Sequence, residues 1–186
     1  GMNVLASGEC GMGSGSASIS GDGRFVAFQG STMDRQMDVY VYNIQSGETE
    51  WGIVGELPWE WSLSPSISAD GRFVAFQSDS PNLVPDDTNE TYDIFVCDRK
   101  TGVVERVSVA SDGTQVDWES VDPSISGDGR FVAFRSGASN LVPGDTNSLS
   151  DVFVICNSPP QGGGKCGPSR VSVASDGTEG EQHSSE

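Results

Sequence analysis

The residues best suited to chemistry are carboxylate and amide side chains in two matching loops. Each loop places an Asp, an Asn two residues later and a second Asp four residues after that, directly before a run typical of a β-strand. A hard cation such as Ca²⁺ takes about six to eight oxygen ligands, which a compact loop of this kind supplies from side chains and backbone carbonyls. The spacing therefore predicts two Ca²⁺ sites, formed by Asp87, Asn89 and Asp93 and by Asp145, Asn147 and Asp151.

A turn without metal explains the same residues. Asp and Asn side chains often accept hydrogen bonds from the backbone two residues further on, so Asp-Thr-Asn needs no ion to make a turn. The Asp before the strand also occurs in a third, shorter unit as Asp38, where no Asn accompanies it. The loops also lack the glycine and the final glutamate of an EF-hand. A purely structural role therefore stays open beside Ca²⁺ binding.

Candidate catalytic residues are few. The one histidine, His183, lies in a polar segment, whereas a serine hydrolase needs a base within hydrogen-bond reach of its nucleophile. Carboxylates are abundant, but no spacing singles out one pair as acid and base. The Asp-Gly pairs at 22–23, 70–71 and 128–129 match hairpin turns and lack the spacing of a sialidase Asp-box. We therefore predict that the chain is not an enzyme.

The cysteines predict one local disulfide. Cys156 and Cys166 flank a flexible loop that such a bond would close, whereas Cys10 and Cys97 have no mate nearby in the sequence. Zinc is not expected, because no CxxC pair occurs. A disulfide favours an oxidising compartment, so we expect an extracellular or periplasmic location.

The elements that carry these residues form a repeat. Residues 66–96 and 124–154 are identical at 21 of 31 aligned positions, and a shorter copy runs from 18 to 43. Each unit predicts four short strands, which are a strand ending in Ser-Ile-Ser, then Arg-Phe-Val-Ala-Phe, then Asp-Ile-Phe-Val, then Arg-Val-Ser-Val-Ala. In the second strand both alternate sets of side chains are apolar, so both faces of its sheet must be covered. The pattern predicts an all-β fold in which successive sheets stack on one another.

The succession Pro-Ser-Ile-Ser-x-Asp-Gly-Arg-Phe-Val-Ala-Phe, Asp-Ile-Phe-Val, Thr-Gly and Arg-Val-Ser resembles the TolB-like β-propeller repeat, a relative of WD-type repeats. The resemblance covers nearly the whole chain and implies one four-stranded blade per repeat. Blade 1 would span about 9–56, blade 2 about 57–114 and blade 3 about 115–178, followed by a polar tail at 179–186.

The same resemblance implies that the Asp-Thr-Asn loops and the connections between blades lie on one face of the molecule. Those connections carry four residues that we predict as a ligand-binding surface, where tryptophan rings can stack on a sugar: Trp59, Trp61, Trp118 and Glu119. In a competing interpretation the tryptophans pack between blades as core.

Three blades are fewer than the about 4 to 8 of known propellers. An open arc would expose the apolar faces of its two terminal blades, which monomeric proteins usually avoid. Two interpretations stay open. Either two chains close a six-bladed ring as a homodimer, or the sequence is part of a longer chain.

The charge limits the class of partner. A formal net charge of -17 argues against nucleic acid and anionic membranes as partners, because both are bound through clustered Lys and Arg. No stretch approaches the roughly 20 apolar residues of a membrane-spanning helix. We predict a non-catalytic binding or scaffolding propeller module for a protein or carbohydrate ligand, stabilised by Ca²⁺. The alternative is an accessory domain of a larger propeller-containing hydrolase, which acts as a gate or a carbohydrate-binding element.

Overall fold

The computed structural model describes residues 10–32, 37–53, 61–147, 149–157 and 167–173. In these ranges it contains three antiparallel sheets of four strands each. Blade 1 has the order β1-β2-β3-β4, with bounds Cys10–Ile19, Phe25–Thr32, Met37–Asn43 and Glu48–Ile53. Blade 2 has the order β5-β6-β7-β8, with bounds Ser62–Ile67, Phe73–Ser78, Asp93–Asp98 and Val103–Arg106. Blade 3 has the order β9-β10-β11-β12, with bounds Ser120–Ile125, Phe131–Ser136, Asp151–Cys156 and Ser169–Arg170.

The Asp-Gly dipeptides make the hairpins that join the first and second strands of each blade. In blade 2, Gly71 has a φ of 74°, a conformation that glycine adopts without a steric penalty. The Asp70 carboxylate accepts hydrogen bonds from the Ser68 hydroxyl at 2.7 Å and from the Arg72 amide at 3.0 Å. The other two turns repeat these contacts around Asp22 and Asp128. The turn interpretation of these residues is therefore correct.

The doubly apolar second strand is covered on both faces in blade 2. Val74 and Phe76 pack against Ala27 and Val39 of blade 1 in one core cluster, and all four side chains are fully buried. The alternate residue Ala75 belongs to a second cluster, formed with residues of blade 3 that include Val132, Phe134 and Phe153. The first strand of each following blade lies against the preceding sheet: β5 contacts β1, β2 and β3, and β9 contacts β5, β6 and β7. The prediction of stacked sheets is confirmed.

The fourth strand of blade 2 differs from its prediction. The sequence places it at Arg-Val-Ser-Val-Ala, but β8 ends at Arg106, where that segment begins. Val107 and Ser108 continue past the strand because the Ser108 hydroxyl turns inward and donates to the Asp93 carboxylate at 2.5 Å. The start of this segment therefore packs, buried, on the third strand and does not form an outer strand.

No helix within the described ranges has the length and apolarity that crossing a membrane requires.

Candidate functional site

The three predicted ligand residues of the first loop do converge, but around a guanidinium group. Arg106 Nη1 lies 3.1 Å from Asp87 Oδ1 and 3.4 Å from Asp93 Oδ2. The two carboxylate side chains are 3% and 0% exposed, and the Arg106 side chain is 10% exposed. Asn89 Nδ2 donates to Asp93 Oδ2 at 3.3 Å and to the Val116 carbonyl at 3.3 Å. The loop is thus closed over a buried arginine.

Two polar neighbours complete this cluster. The Ser108 hydroxyl donates to Asp93 Oδ1 and accepts a 3.0 Å hydrogen bond from the Ile94 amide. Gln115 Nε2 donates to Asp87 Oδ1 at 2.7 Å, and Gln115 Oε1 accepts from the Thr88 hydroxyl at 2.9 Å. Every carboxylate oxygen named here has a donor, which is the condition for keeping a charge inside a protein.

The second loop repeats the arrangement with different residue numbers. Arg170 Nη1 lies 3.0 Å from Asp145 Oδ1 and 3.2 Å from Asp151 Oδ2. Asn147 Nδ2 donates to Asp151 Oδ2 at 3.2 Å, and the Ser172 hydroxyl donates to Asp151 Oδ1 at 2.5 Å. Because two blades build the same cluster, it is a property of the repeat.

Burial sets the electrostatics of the first cluster. Removal from water raises the pKa of Asp93 above its ordinary value of 3.8, and the Asp87 charge raises it further. The Ser108 hydroxyl, the Arg106 guanidinium and the Asn89 amide act in the opposite direction and lower this pKa. A single guanidinium between the two carboxylates therefore supplies the positive charge that compensates for their burial.

A guanidinium group lies between the carboxylates where the sequence predicts a Ca²⁺ ion. A Ca²⁺ ion needs oxygen lone pairs from several ligands, whereas Asp87 Oδ1 and both oxygens of Asp93 already accept from Arg106, Gln115, Asn89 or Ser108. Within the described part of the chain, no group of three or more His, Cys, Asp and Glu side chains could hold a metal ion. The residues brought together at the two loops form buried ion pairs, called here the arginine clasps: Arg106 with Asp87 and Asp93, and Arg170 with Asp145 and Asp151. Calcium binding at these loops stays a prediction.

The two arginines are the functional residues that sequence reasoning missed. Both stand at the start of the repeated Arg-Val-Ser segment, as Arg106 and Arg170, so a signal was present. The repeat of an Asp-x-Asn-x-x-x-Asp loop together with a downstream Arg in both units would have pointed to an internal ion pair.

Two of the three predicted tryptophans are described, and both are exposed. Trp118 is 63% exposed and Trp61 is 38% exposed, so neither is a core residue as the competing interpretation required. The Trp118 ring lies against the backbone of Gly137, where a Cβ atom would sit 3.0 Å from Trp118 Cδ1. Glu119 is exposed beside it, and Trp59 lies outside the described residues.

The connection that carries Trp118 is fixed to the neighbouring loop of blade 3. Asp117 accepts hydrogen bonds from the Ser139 amide at 2.9 Å and from the Ser139 hydroxyl at 2.6 Å. The Asp117 amide donates to Asn140 Oδ1 at 3.2 Å, and Asn140 Nδ2 donates to the Gln115 carbonyl at 3.0 Å. Four polar contacts therefore fix the segment that carries Trp118, and the ring itself lies against Gly137.

Negative charge surrounds a tyrosine in the same region. Burial raises the pKa of Tyr92, and the charges of Asp79 and Glu119 raise it further, so both carboxylates lie near its phenol group. Asp79 Oδ1 also accepts from the Trp61 amide at 2.7 Å, and the Tyr92 carbonyl accepts from the Ser120 amide at 2.7 Å. These interactions link Trp61, Asp79, Tyr92 and Glu119, and Trp118 precedes Glu119 in the chain. The five residues are called here the Trp118 surface.

The cysteines are described in part. Cys156 is disulfide-bonded, and its expected partner Cys166 lies outside the described residues, so the pairing stays a prediction. Cys97 is a free, buried thiol whose pKa burial raises to about 11, which makes it a poor nucleophile. The side chain of Cys10 and the whole of His183 are likewise outside the description.

Comparison with known proteins finds similarity in structure only. No protein-family model and no curated protein sequence matches the chain. The structure is similar to the TolB structure from Agrobacterium tumefaciens, with a TM-score of 0.56 and 20% identity over 86% of this chain and 49% of that one.

Two further similar structures belong to proteases. The tricorn protease gives a TM-score of 0.54 and 16% identity over 86% of this chain and 17% of the other. The β-propeller domain of the Trilobed protease from Pyrococcus furiosus gives a TM-score of 0.52 and 12% identity over 84% and 42%.

The chain spans less than half the length of each of these three structures. Identities at this level establish the fold alone. Three stacked four-stranded sheets and these neighbours together show that the chain has a TolB-like β-propeller fold, of which it forms three blades.

Proposed function

We propose that the chain is a non-catalytic binding module that contacts a positively charged segment of a partner protein through the Trp118 surface. The single observation that carries the proposal is an indole ring, 63% exposed and yet fixed on the Gly137 backbone, with Glu119 beside it. An aromatic face flanked by carboxylates attracts Lys and Arg side chains through cation–π and ionic contacts. The formal net charge of -17 favours the same class of partner.

Rigidity supports the choice of this surface over other exposed apolar residues. Exposed tryptophan is rare outside contact surfaces, and fixing the ring beforehand lowers the entropy that binding must overcome. The contacts of Asp117 with Ser139 and Asn140 fix the backbone next to Trp118, and Gly137 supports the ring. Ile44, by comparison, is 41% exposed in a hairpin turn of blade 1 and has no comparable acidic surroundings among the contacts described.

Titration of tryptophan fluorescence tests the proposal with a short Lys- and Arg-rich peptide as the probe. We expect saturable binding that weakens as salt rises from about 0.05 to 0.5 M, because exposed charges are screened. Trp118→Ala should weaken binding at least tenfold, and Ile44→Ala should leave it unchanged. Binding of neutral oligosaccharides in place of the peptide, or equal affinity of the two variants, would contradict the proposal.

An accessory role in a larger hydrolase is the second candidate, and one observation favours it. Two of the similar structures are parts of proteins named as proteases, and each is longer than this chain. In that role the three blades would still bind a partner, and they would not catalyse the reaction of the hydrolase. Assays of the chain on peptide and glycoside panels should show no turnover, and turnover that Glu119→Gln abolishes would overturn both versions.

The proposed compartment is an oxidising one, outside the cytoplasm. The disulfide at Cys156 supports this location, since cytosolic proteins rarely keep such a bond. Alkylation of the unfolded protein before and after reduction should differ by two cysteines. Equal labelling would argue for a reducing compartment.

A further inference from the structure

A cavity lies between blades 2 and 3, at the end of the sheets where β7 turns into β8. Its volume is about 280 Å³, and its lining includes the apolar side chains of Phe73, Val96 and Val103 and the carboxylates of Asp98 and Glu105. The register pairs Phe73 with Asp98 and Asp98 with Val103, and directly opposed residues share a sheet face. Val96 lies opposite Glu105 and belongs to the core cluster that blade 2 shares with blade 3. The cavity therefore opens on the face of blade 2 that packs against blade 3.

The equivalent place between blades 1 and 2 holds an arginine. Phe25 begins the second strand of blade 1 as Phe73 begins that of blade 2. The Cζ atom of Arg99, which follows β7 directly, lies 4.4 Å from the centroid of the Phe25 ring. Arg99 Nη1 also donates to the Gly71 carbonyl. This interface thus shows a guanidinium group seated over the phenylalanine of one blade and bonded to the hairpin glycine of the next.

Asparagine takes the place of this arginine in blade 3. Asn157 follows β11 directly, as Arg99 follows β7. The Asn157 amide donates to the Arg130 carbonyl at 2.8 Å, and the Arg99 amide donates to the Arg72 carbonyl at 2.9 Å. Because these hydrogen bonds join equivalent residues, the backbone positions of Arg99 and Asn157 correspond.

The shorter side chain keeps only one contact of the arginine. Asn157 Nδ2 donates to the Gly129 carbonyl at 2.8 Å, which is the counterpart of the bond from Arg99 to Gly71. Asparagine carries no charge, so it brings no cation into the groove beside Phe73. The cavity, which Asn157 also lines, lies where the longer side chain of an arginine would extend.

The charges that line the cavity do not balance. Asp98 stands at the register position that Asn43 occupies in blade 1. Arg72 compensates Asp98 through two hydrogen bonds, at 2.7 and 3.0 Å. Glu105 is exposed and makes no ion pair within the described ranges. Two carboxylates against one guanidinium group leave an excess of one negative charge in the lining.

We propose that this cavity binds the arginine side chain of a partner polypeptide, in the manner in which Arg99 lies over Phe25. The guanidinium group would contact the Phe73 ring through a cation–π interaction and the Glu105 carboxylate through charge-assisted hydrogen bonds. Val103 would contact the aliphatic stem. A guanidinium group suits this place better than an ammonium group, because its plane stacks on an aromatic ring while its edge donates to a carboxylate.

A phenylalanine at this position accommodates two guanidinium groups. The centroid of the Phe25 ring lies 5.4 Å from the Cζ atom of Arg24 and 4.4 Å from that of Arg99. Among the described contacts the Phe73 ring has one such neighbour, the Cζ atom of Arg72 at 4.6 Å. The arginine of the partner would be the second.

The size of the cavity favours one side chain over a larger ligand. Pockets for small molecules measure about 300 to 1,000 Å³, and this cavity of about 280 Å³ lies just below that range. The cavity is also separate from the Trp118 surface, because Asp98 ends β7, whereas Tyr92 precedes the start of that strand. A strand of six residues spans about 17 to 20 Å. The inference therefore goes beyond the function proposed above.

NMR titration of the ¹⁵N-labelled chain with N-acetylarginine amide tests the inference. We expect the Asn157 side-chain amide and the Val103 backbone amide to shift, with saturation in the millimolar range that suits a single side chain. N-acetylcitrulline amide has nearly the same shape without the charge and should bind at least about tenfold more weakly. Equal binding of the two compounds would overturn the inference. So would shifts confined to the Trp118 indole, a result that would leave the function proposed for the Trp118 surface intact.

Three variants test the assigned residues. Asn157→Arg should place the chain's own guanidinium group in the cavity and abolish binding of the capped arginine, and unchanged binding in this variant would overturn the inference. Glu105→Gln should raise the dissociation constant at least about fivefold, because a neutral amide replaces the carboxylate. The control Glu90→Gln removes an exposed carboxylate of blade 2 outside the cavity and should leave the dissociation constant unchanged. Circular dichroism confirms that each variant is folded.

Discussion

At the scale of single residues, the clasp around Arg106 shows how a repeat protein keeps carboxylates inside. Asp93 is completely buried at the start of the third strand and is compensated by one arginine, one serine and one asparagine. An ion pair of this kind adds little net stability over an apolar equivalent, but loss of one partner is costly because the other charge stays buried.

Arg106→Met should destabilise the protein by about 3 to 5 kcal/mol, because it leaves Asp87 and Asp93 without a countercharge. Urea unfolding followed by tryptophan fluorescence measures this loss. Combining the change with Asp87→Asn and Asp93→Asn should recover part of the stability.

The matched control is Arg135→Met, which breaks the exposed pair with Asp122, whose side chains are 50% and 64% exposed. It should change the free energy of unfolding by less than about 0.5 kcal/mol. Equal costs for Arg106→Met and Arg135→Met would refute the clasp.

The clasp also makes a prediction about calcium. Because the guanidinium already balances the two carboxylates, adding millimolar Ca²⁺ or EDTA should shift the melting temperature by less than about 1 °C. A rise of several degrees with Ca²⁺ that EDTA reverses would restore the calcium sites that the sequence suggests.

Acid should lower the free energy of unfolding by protonating carboxylates in exposed turns. Hydrogen bonds from Arg72 lower the pKa of Asp98 from 3.8 to about 2, and bonds from Ser20 and Arg24 lower that of Asp22 to about 2. A carboxyl whose pKa is lower when folded contributes stability above pH 3.8, and this contribution is lost as pH falls toward 2.

The pH dependence from Asp93 has the opposite sign, since its raised pKa favours the folded state at low pH and this contribution is lost as pH rises.

NMR titration tests the role of Arg72. Because hydrogen bonds from Arg72 lower the pKa of Asp98, the carboxyl signal of Asp98 should titrate near pH 2 in the wild type and nearer 3.8 in Arg72→Met. An unchanged midpoint in the variant would show that Arg72 does not cause the shift.

At the scale of elements, the hairpin glycines hold the blades together. Gly71 has both a positive φ and a phenylalanine ring of the preceding blade where its Cβ would be. Gly102 has nearly the same φ, 75° against 74°, but no atom within 4 Å of that position. Comparing substitutions at Gly71 and Gly102 therefore separates the stability lost through backbone conformation from the stability lost through packing between blades.

Gly102→Ala should cost about 1 to 2 kcal/mol from its left-handed φ alone. Gly71→Ala should cost at least about 1 kcal/mol more, because overpacking displaces the Phe25 ring. Denaturant unfolding measures both, and equal costs would mean that the ring moves aside freely.

The elements also show what the sequence could and could not predict. The second strand was predictable because its alternation is visible in five adjacent residues, which demand cover on both faces. The fourth strand was misplaced because Val107 and Val109 alternate with smaller residues like a strand, whereas the buried bond from Ser108 to Asp93 pulls the segment inward. The role of Arg106 was missed because its carboxylate partners lie 13 and 19 residues earlier and only the folded blade brings them together.

At the scale of the whole molecule, the repeat determines how the three blades pack against one another. Three blades pack through two equivalent interfaces. On the outward faces of the first and last blades the exposure differs: Val152 and Val171 of blade 3 are 40% and 50% exposed, whereas Tyr40 and Tyr42 of blade 1 are 3% and 9% exposed. The Trp118 surface combines residues of blade 2 with the connection that leads into blade 3.

The most direct test compares the urea unfolding of Arg106→Met with that of Arg135→Met. We predict a loss of about 3 to 5 kcal/mol for the buried arginine and of less than about 0.5 kcal/mol for the exposed one. Equal losses would contradict the claim that each Asp-Thr-Asn loop is closed over a buried arginine.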